Sequence, residues 1–449
     1  MNIKYEFDTI CALATPFGTS GIAVIRISGD KAFEIIGKIF SKKNITAGKI
    51  EHGWICDEGK KIDEVVVLPF KSPASFTGED VIEIQCHGGV HVIKSILSIV
   101  LKNGARMAEK GEFTKRAFLN GRLDLSKAEA IDDIIHSKTK EFAHRSALNL
   151  GGKLSLEVSE IRQEIFNLLC RLNAATDFPE DVAEPEYSWL EEQIKKIISR
   201  IEKILVSSHA SNILRDGVKI AIVGKPNAGK SSLFNKLLNL ERAIVTDIPG
   251  TTRDVLQESI SIGEIPVTLT DTAGIRENSG DKVEAIGIDY SLQSLESADL
   301  VLFVFDASSK TDSDDEKIFK LVQNKPFIKV GTKTDLIKDK SKLVSDQDTV
   351  FVSNVSEENL DLLKKKISEK VLTTPCEESD FVTNHRQQSC LSKTVEALQQ
   401  ALSGVEAQEL QDLISIDVKS ALLCIDEISG EVMTDEILNN IFEHFCIGK

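Results

Sequence analysis

No apolar run in the chain approaches the roughly 20 residues that span a bilayer; the longest are Val65–Leu68 and Leu300–Phe305. The first ten residues, MNIKYEFDTI, lack a basic stretch followed by an apolar one, so no signal peptide is read. A cytoplasmic protein without membrane contact is the expectation. Positive charge is also in deficit. Against 70 Asp and Glu stand 54 Lys and Arg, a net charge of −16, which excludes a general nucleic-acid binder. The deficit is uneven: residues 1–120 carry 16 basic and 14 acidic side chains, and the rest of the chain holds the acidic excess. A polyanion is therefore expected to prefer the N-terminal third or local patches. None of the eight cysteines forms a CxxC pair, so a zinc site is not expected and free thiols are. There is no internal repeat and no low-complexity tract. What is present is a globular composition, 41% hydrophobic and 28% charged, which excludes a wholly disordered chain. At about 150 residues per domain, 449 residues predict about three domains.

The pattern changes twice along the chain. Residues 1–120 read as mixed α/β, with strands at Thr9–Ala14, Ile22–Ile27, Val65–Phe70 and Val81–Cys86 and helices at Lys31–Phe40 and Val90–Lys102. From about Asp124 long helical periods take over, at Leu125–Asn149, Leu154–Ala175 and Trp189–Ser207. Residues 214–374 alternate strand and helix: Lys219–Val223, Ser231–Leu238, Val267–Thr270, Leu300–Asp306, Phe327–Gly331, Thr349–Ser353 and Leu360–Val371. That succession predicts a doubly wound sheet. Helix returns at His385–Leu402, Glu409–Cys424 and Thr434–Phe445. The simplest arrangement is one discontinuous helical bundle, 121–213 and 375–449, with the α/β block inserted between its halves.

Gly224–Ser231 reads GKPNAGKS, the GxxxxGK[ST] pattern, after the apolar strand Ile220–Val223 and before a helix. In that context the loop's N–H groups surround a β-phosphate, Lys230 brings positive charge to the β/γ-phosphates and Ser231 Oγ can ligate Mg²⁺. Asp271-Thr272-Ala273-Gly274 follows the next strand; such an Asp can hold Mg²⁺ through water and the Gly amide can sense a γ-phosphate. Thr332-Lys333-Thr334-Asp335 follows a third strand, and its carboxylate can accept two hydrogen bonds from guanine N1 and N2, which adenine does not offer. Guanine is the expected base, with an ATPase as the weaker reading. Two departures stand here: TKxD replaces the usual NKxD, and Ser353-Asn354-Val355 replaces SAK. Thr252 is the candidate switch threonine on Mg²⁺. Ile275 occupies the position where Ras-like proteins carry a water-orienting Gln, so either hydrolysis is poor or another group supplies that electrostatics.

Together with Gly250-Thr251-Thr252-Arg253-Asp254, Thr77-Gly78-Glu79-Asp80, His87-Gly88-Gly89, Gly111–Asn120 and the terminus Cys446-Ile447-Gly448-Lys449, these residues make the chain resemble the MnmE (TrmE) tRNA-modification GTPases over its whole length. The resemblance implies an N-terminal α/β folate-binding and dimerisation domain (1–120), a discontinuous helical domain and an inserted Ras-like P-loop G domain (214–374). It implies a GTP-binding set of Asn227, Ala228, Gly229, Lys230, Ser231, Ser232, Thr246, Asp247, Ile248, Pro249, Gly250, Thr251, Thr252, Asp271, Thr272, Ala273, Gly274, Thr332, Lys333 and Asp335. It implies Mg²⁺ on Ser231 and Thr252, and K⁺ on Asn227 and the backbone of Thr246, Ile248 and Thr251, the ion standing in for an arginine finger. Glu284, in Val283–Gly287, is the implied water-orienting acid. Formyl-tetrahydrofolate is implied on Arg26, Glu83, Arg122 and Lys449, with Arg122 where relatives often carry Lys. Cys446 inherits either a role in the modification or that of a buried structural thiol. The implied partners are a second copy of the chain, a flavin-dependent MnmG-like protein and tRNA, whose wobble uridine would be modified at carbon 5. The alternative is a GTP-dependent switch or ribosome-assembly protein without one-carbon chemistry.

Overall fold

The computed structural model describes residues 8–240, 257–263, 265–271, 295, 298–309, 313–337, 348–371 and 381–449. Two compact units form: Met1–Asp132, Asn149–Leu190 and Gln400–Lys449 make the first, and Asp133–Leu148 and Glu191–Gln399 the second.

The first unit opens with β1 (Ile10–Leu13), β2 (Ser20–Ser28), α1 (Ala32–Ile39), β3 (Glu51–Asp57), β4 (Lys60–Phe70), β5 (Val81–Gly88), α2 (Val90–Lys102) and β6 (Arg106–Met107). The six strands form one sheet in the order β3-β4-β5-β2-β1-β6, antiparallel except for the β1–β6 pair. Alternation in β2 buries Ala23, Ile25 and Ile27 on the face that α1 and α2 cover. Arg26 therefore points to the other face. On β5, Glu83 sits between buried Ile82 and Ile84, and its Cα is directly opposite that of Arg26. Register thus makes these two residues a cross-strand pair on the face away from α1 and α2.

The helical part of this unit holds α3 (Glu112–Leu119), the start of α4 (Leu125–Ile135) and α6 (Lys153–Asp177). Buried Leu154, Val158, Ile161, Ile165, Leu168 and Leu172 give α6 a stripe at helical spacing. It packs on a 19-residue helix, Gln411–Ser429, whose Ile414, Val418, Ala421 and Ile425 face inward. An Arg162–Asp426 ion pair at 2.6 Å pins the register of the two. The expected single helix over 125–149 is two helices, α4 and α5 (Lys140–Leu150). The break falls where Ser137 Oγ donates to the Ile134 carbonyl and Thr139 Oγ1 accepts from the Phe142 amide; short hydroxyl side chains compete there for the backbone. α7 runs nine residues past the expected end, over Tyr187–Asp216.

The second unit is built on a sheet of β7 (Val218–Val223), β8 (Gln257–Ile262), β9 (Ile265–Asp271), β10 (Leu300–Asp306), β11 (Phe327–Thr332) and β12 (Thr349–Phe351). The order is β12-β11-β10-β7-β9-β8, parallel except for β8, which pairs antiparallel with β9 at the edge. Helices α8 (Lys230–Leu240), α9 (Ser313–Val322) and α10 (Leu360–Val371) follow their strands. In such a sheet ligands bind beyond the carboxyl ends of the strands, where the loops after β7 and β11 lie. Helices α11 (His385–Glu406), α12 (the Gln411–Ser429 helix) and α13 (Asp435–Phe442) complete the chain. The fold is thus α/β and all-α, with a P-loop domain set between two helical stretches.

Candidate functional sites

The phosphate loop joins β7 to α8. Asn227 and Gly229 both adopt left-handed backbone, φ 63° and 93°, which curls the loop so that successive amides can face one point. Gly224 allows the loop to leave the sheet: a Cβ there would stand 2.0 Å from the Val304 carbonyl oxygen. Lys230, at the first position of α8, is buried at 7% exposure, and its Nζ donates to the Lys225 carbonyl at 2.7 Å. The ammonium is thus folded back over the loop's mouth. Asn227 is exposed at the rim, and Ser231 is exposed one residue into the helix.

The candidate base-reading residues follow β11 and β12. Asp335 lies in a 3₁₀ turn, Thr334–Leu336, and its Oδ1 accepts from Ser353 Oγ at 2.8 Å, which orients the carboxylate. Lys333, left-handed at φ 60°, pairs with Asp306 at 2.7 Å. Burial acts to raise the Asp306 carboxyl, but hydrogen bonds from Lys333 and Ser308 outweigh it and hold it below the usual range. Thr332 is fully buried, and its hydroxyl donates to the Ala228 carbonyl at 2.5 Å. The Gly224–Ser231 loop and the Thr332–Asp335 loop are therefore bonded together. Asp271 ends β9 in register with Ile222. Thr246, Asp247, Ile248, Pro249, Gly250, Thr251, Thr252, Thr272, Ala273, Gly274 and Glu284 lie outside the described residues.

In the first unit, Arg26 and Glu83 form an ion pair at 2.8 Å, with side chains only 13% and 20% exposed. Arg26 Nη1 also donates to the Gly448 carbonyl at 3.3 Å, so the C-terminal tail is tied to the same strand. Ile447 bridges to Lys110, and the Gly111 amide donates to the Cys446 carbonyl. A glycine is required at 448 because a Cβ would stand 2.3 Å from the Leu13 carbonyl oxygen. Beside this lies a cavity of about 350 Å³, whose walls include Phe70, Pro73, Phe76, Val81, Glu83 and Arg122. Arg122 and Arg26 both stack on the Phe76 ring, each 5.2 Å from its centre. Glu83 and Arg122 reach the cavity, while Arg26 backs Glu83; Lys449 is not among the residues that line it. Phe76 went unnoticed in the sequence, where a lone aromatic in a loop carries no signal.

Beneath the cavity, α3 is locked to the Thr77–Asp80 loop by charge. Arg116, 1% exposed, bonds Glu112 at 2.8 Å and Glu79 at 3.2 Å. Arg106 adds a fork on Glu112, and Ser28 Oγ donates to Glu79 at 2.6 Å. The two motifs Thr77–Asp80 and Gly111–Asn120 are thus halves of one buried network. Burial acts to raise Glu112, but hydrogen bonds from Arg106, the Glu109 amide and Arg116 prevail and bring it down to about 2. A carboxyl lowered on folding stabilises the fold above its unfolded value, near 4.3, and that contribution fades as pH falls from there toward 2. Glu112→Gln is expected to cost roughly 3 kcal/mol at neutral pH and to flatten the pH dependence of the urea midpoint between about pH 5 and 2. Parallel curves for variant and wild type would refute this role.

The seven described cysteines are free thiols, and Cys376 lies outside the described residues. Burial pushes Cys11 up to about 12 and Cys86 to about 11, whereas Cys446 is exposed. Exposure removes the reading of Cys446 as a buried structural thiol. Among the described residues no helix is long and apolar enough to cross a membrane, and no group of three or more His, Cys, Asp or Glu could hold a metal ion.

Two family models match: one for the MnmE helical domain over residues 125–446, and one for the GTP-binding protein TrmE N-terminus over 9–122. The tRNA modification GTPase MnmE of Thermotoga petrophila is 42% identical, the match covering 98% of this chain and all of that protein. That of Caldicellulosiruptor saccharolyticus is 43% identical, covering 99% and 100%. Among solved structures, a variant of Aquifex aeolicus Era bound to GDP.AlF4- is similar at 30% identity over 40% of this chain and 66% of that one, with a TM-score of 0.28. With a match spanning both chains end to end at this identity, the chain belongs to the MnmE family of tRNA modification GTPases.

Proposed function

We propose that the chain hydrolyses GTP on the Gly224–Ser231 loop and, as a dimer with a flavin-dependent MnmG-like partner, uses a tetrahydrofolate one-carbon unit to modify carbon 5 of a tRNA wobble uridine. The observation that carries the GTPase part is the curled loop with buried Lys230 at the start of α8, joined through Thr332 to the loop that presents Asp335. Lys230 neutralises charge on the β- and γ-oxygens, and Asp335 accepts from guanine N1 and N2. The loop amides hold the polyphosphate in place while charge builds on the transferring group.

Mg²⁺ fits the exposed hydroxyl of Ser231, paired with Thr252. K⁺ fits the donor set of the Asn227 side-chain amide oxygen with backbone oxygens of Thr246, Ile248 and Thr251, since hard cations take oxygen ligands. A bound monovalent ion would supply positive charge beside the phosphoryl group that Ile275 cannot. Glu284 would orient the attacking water. Replacing K⁺ by Na⁺ is therefore expected to slow hydrolysis at least about tenfold, some 1.4 kcal/mol of barrier; equal rates in both salts would remove the cation from the account and leave the GTPase intact.

A formyl-tetrahydrofolate fits the first unit's cavity on chemical grounds. Phe76 offers an aromatic wall, Glu83 an acceptor for a ring N–H, and Arg122 a fork for the carboxylates of a glutamate tail. Arg26 holds Glu83 in place, and exposed Cys446 and half-buried Lys449 belong to the tail that Arg26 anchors. Titrating the full chain with 5-formyl-tetrahydrofolate is the test. Saturable binding that falls at least about tenfold in Glu83→Gln supports the modification reading. Its absence favours a GTP-dependent switch without one-carbon chemistry.

A further inference from the structure

Two departures from the usual guanine-binding motifs, Thr332 and Asn354, meet at the same stretch of the phosphate loop. Thr332 Oγ1 donates to the Ala228 carbonyl at 2.5 Å, and Asn354 Nδ2 donates to the carbonyl of the next residue, Gly229, at 3.3 Å. The convergence is tight: a Cβ on Gly229 would stand 3.1 Å from Thr332 Oγ1 and 3.5 Å from Asn354 Nδ2. A threonine has one O–H and an asparagine amide has two N–H groups. An asparagine at 332 could hold the loop and still offer an N–H to the base. Thr332 has spent its single donor on Ala228. Asn354 follows Ser353, whose hydroxyl fixes Asp335, so its amide hangs from the segment that presents the base-reading carboxylate. Asn354 Oδ1 is buried without a hydrogen-bond partner among the described residues. The acceptor edge of guanine has no N–H to give that oxygen, so only the amide's N–H groups can face the base.

We infer that Asn354 and Thr332 divide the work of a single asparagine at 332: Thr332 ties the phosphate loop to β11, while Asn354 ties it to the segment after β12 and donates its remaining N–H to the acceptor edge of guanine. Asn354 is a specificity-determining residue that sequence position alone would not reveal. The inference rests on the guanine reading of Asp335.

The test compares binding of GTP and 7-deaza-GTP, which lacks the N7 acceptor, to the full chain, to Asn354→Ala and to Thr332→Asn/Asn354→Ala, with the nucleotide-free melting temperature as a folding control. Wild type is expected to prefer GTP over the deaza analogue about tenfold. Asn354→Ala should bind GTP at least tenfold more weakly, with that preference falling to about one, and the double variant should regain both. Undiminished GTP binding by Asn354→Ala, or a preserved preference, overturns the inference, as does a double variant that regains neither. Wild type binding ATP as tightly as GTP would instead bring down the guanine reading on which it stands.

Discussion

Lys230→Ala is expected to lower GTP hydrolysis by at least about 100-fold while the nucleotide-free chain melts within a few degrees of wild type. One pre-set positive donor facing charge that grows in the transition state is worth on the order of 10²–10³ in rate, or about 2.7–4 kcal/mol. The side chain is buried at the loop's mouth, and its ammonium is held by the Lys225 carbonyl, so it is preorganised and has little searching to do when phosphate arrives. The fold should tolerate its loss, because the cluster around β7 and α8 rests on Ile220, Ile222, Leu233 and Leu237 and not on this lysine. Phosphate release measured at saturating GTP decides the point; turnover within a few-fold of wild type would detach the loop from the chemistry.

Asp335→Asn should exchange the preference of the site. In the proposed reading the carboxylate accepts from both N1 and N2 of guanine. The amide keeps one acceptor and turns a donor toward the other position, which repels the guanine amino group and suits the 2-oxo group of xanthine. Losing a charge-assisted bond and setting donor against donor costs about 3 kcal/mol, so GTP affinity is expected to fall roughly 100-fold and XTP to bind more tightly than GTP. Ser353 can still hold the side chain in place, since its hydroxyl bonds the oxygen that the two residues share. Competition between GTP and XTP measures the exchange; an unchanged ratio would mean that another group reads the base.

How far the sequence alone reaches depends on how local the determinant is. The phosphate loop is legible because strand, glycine-bearing loop and helix are consecutive in the chain, and the motif carries its own geometry. The parallel strands of the second unit are legible as short apolar runs, and Leu300–Asp306 and Leu360–Val371 end where their patterns end. β3 and β8 are not, since both lie at sheet edges: EHGWICD and QESISI carry polar residues along much of their length. The Arg26–Glu83 pair needs a register between strands 57 residues apart, and the Glu79–Arg116–Glu112 network needs a helix set against a loop; no local rule yields either. Thr332 and Asn354 read singly as departures from a motif. Only their meeting at adjacent carbonyls gives the departures a common physical reason.

Wobble uridines in tRNA from cells whose only copy of this chain carries Lys230→Ala bear most directly on whether hydrolysis at this loop drives the modification. Mass spectrometry of those nucleosides should find carbon 5 unsubstituted wherever the wild-type strain carries the substituent. A full complement of the modified uridine in the variant strain would contradict the account, because the modification would then proceed without the phosphate site.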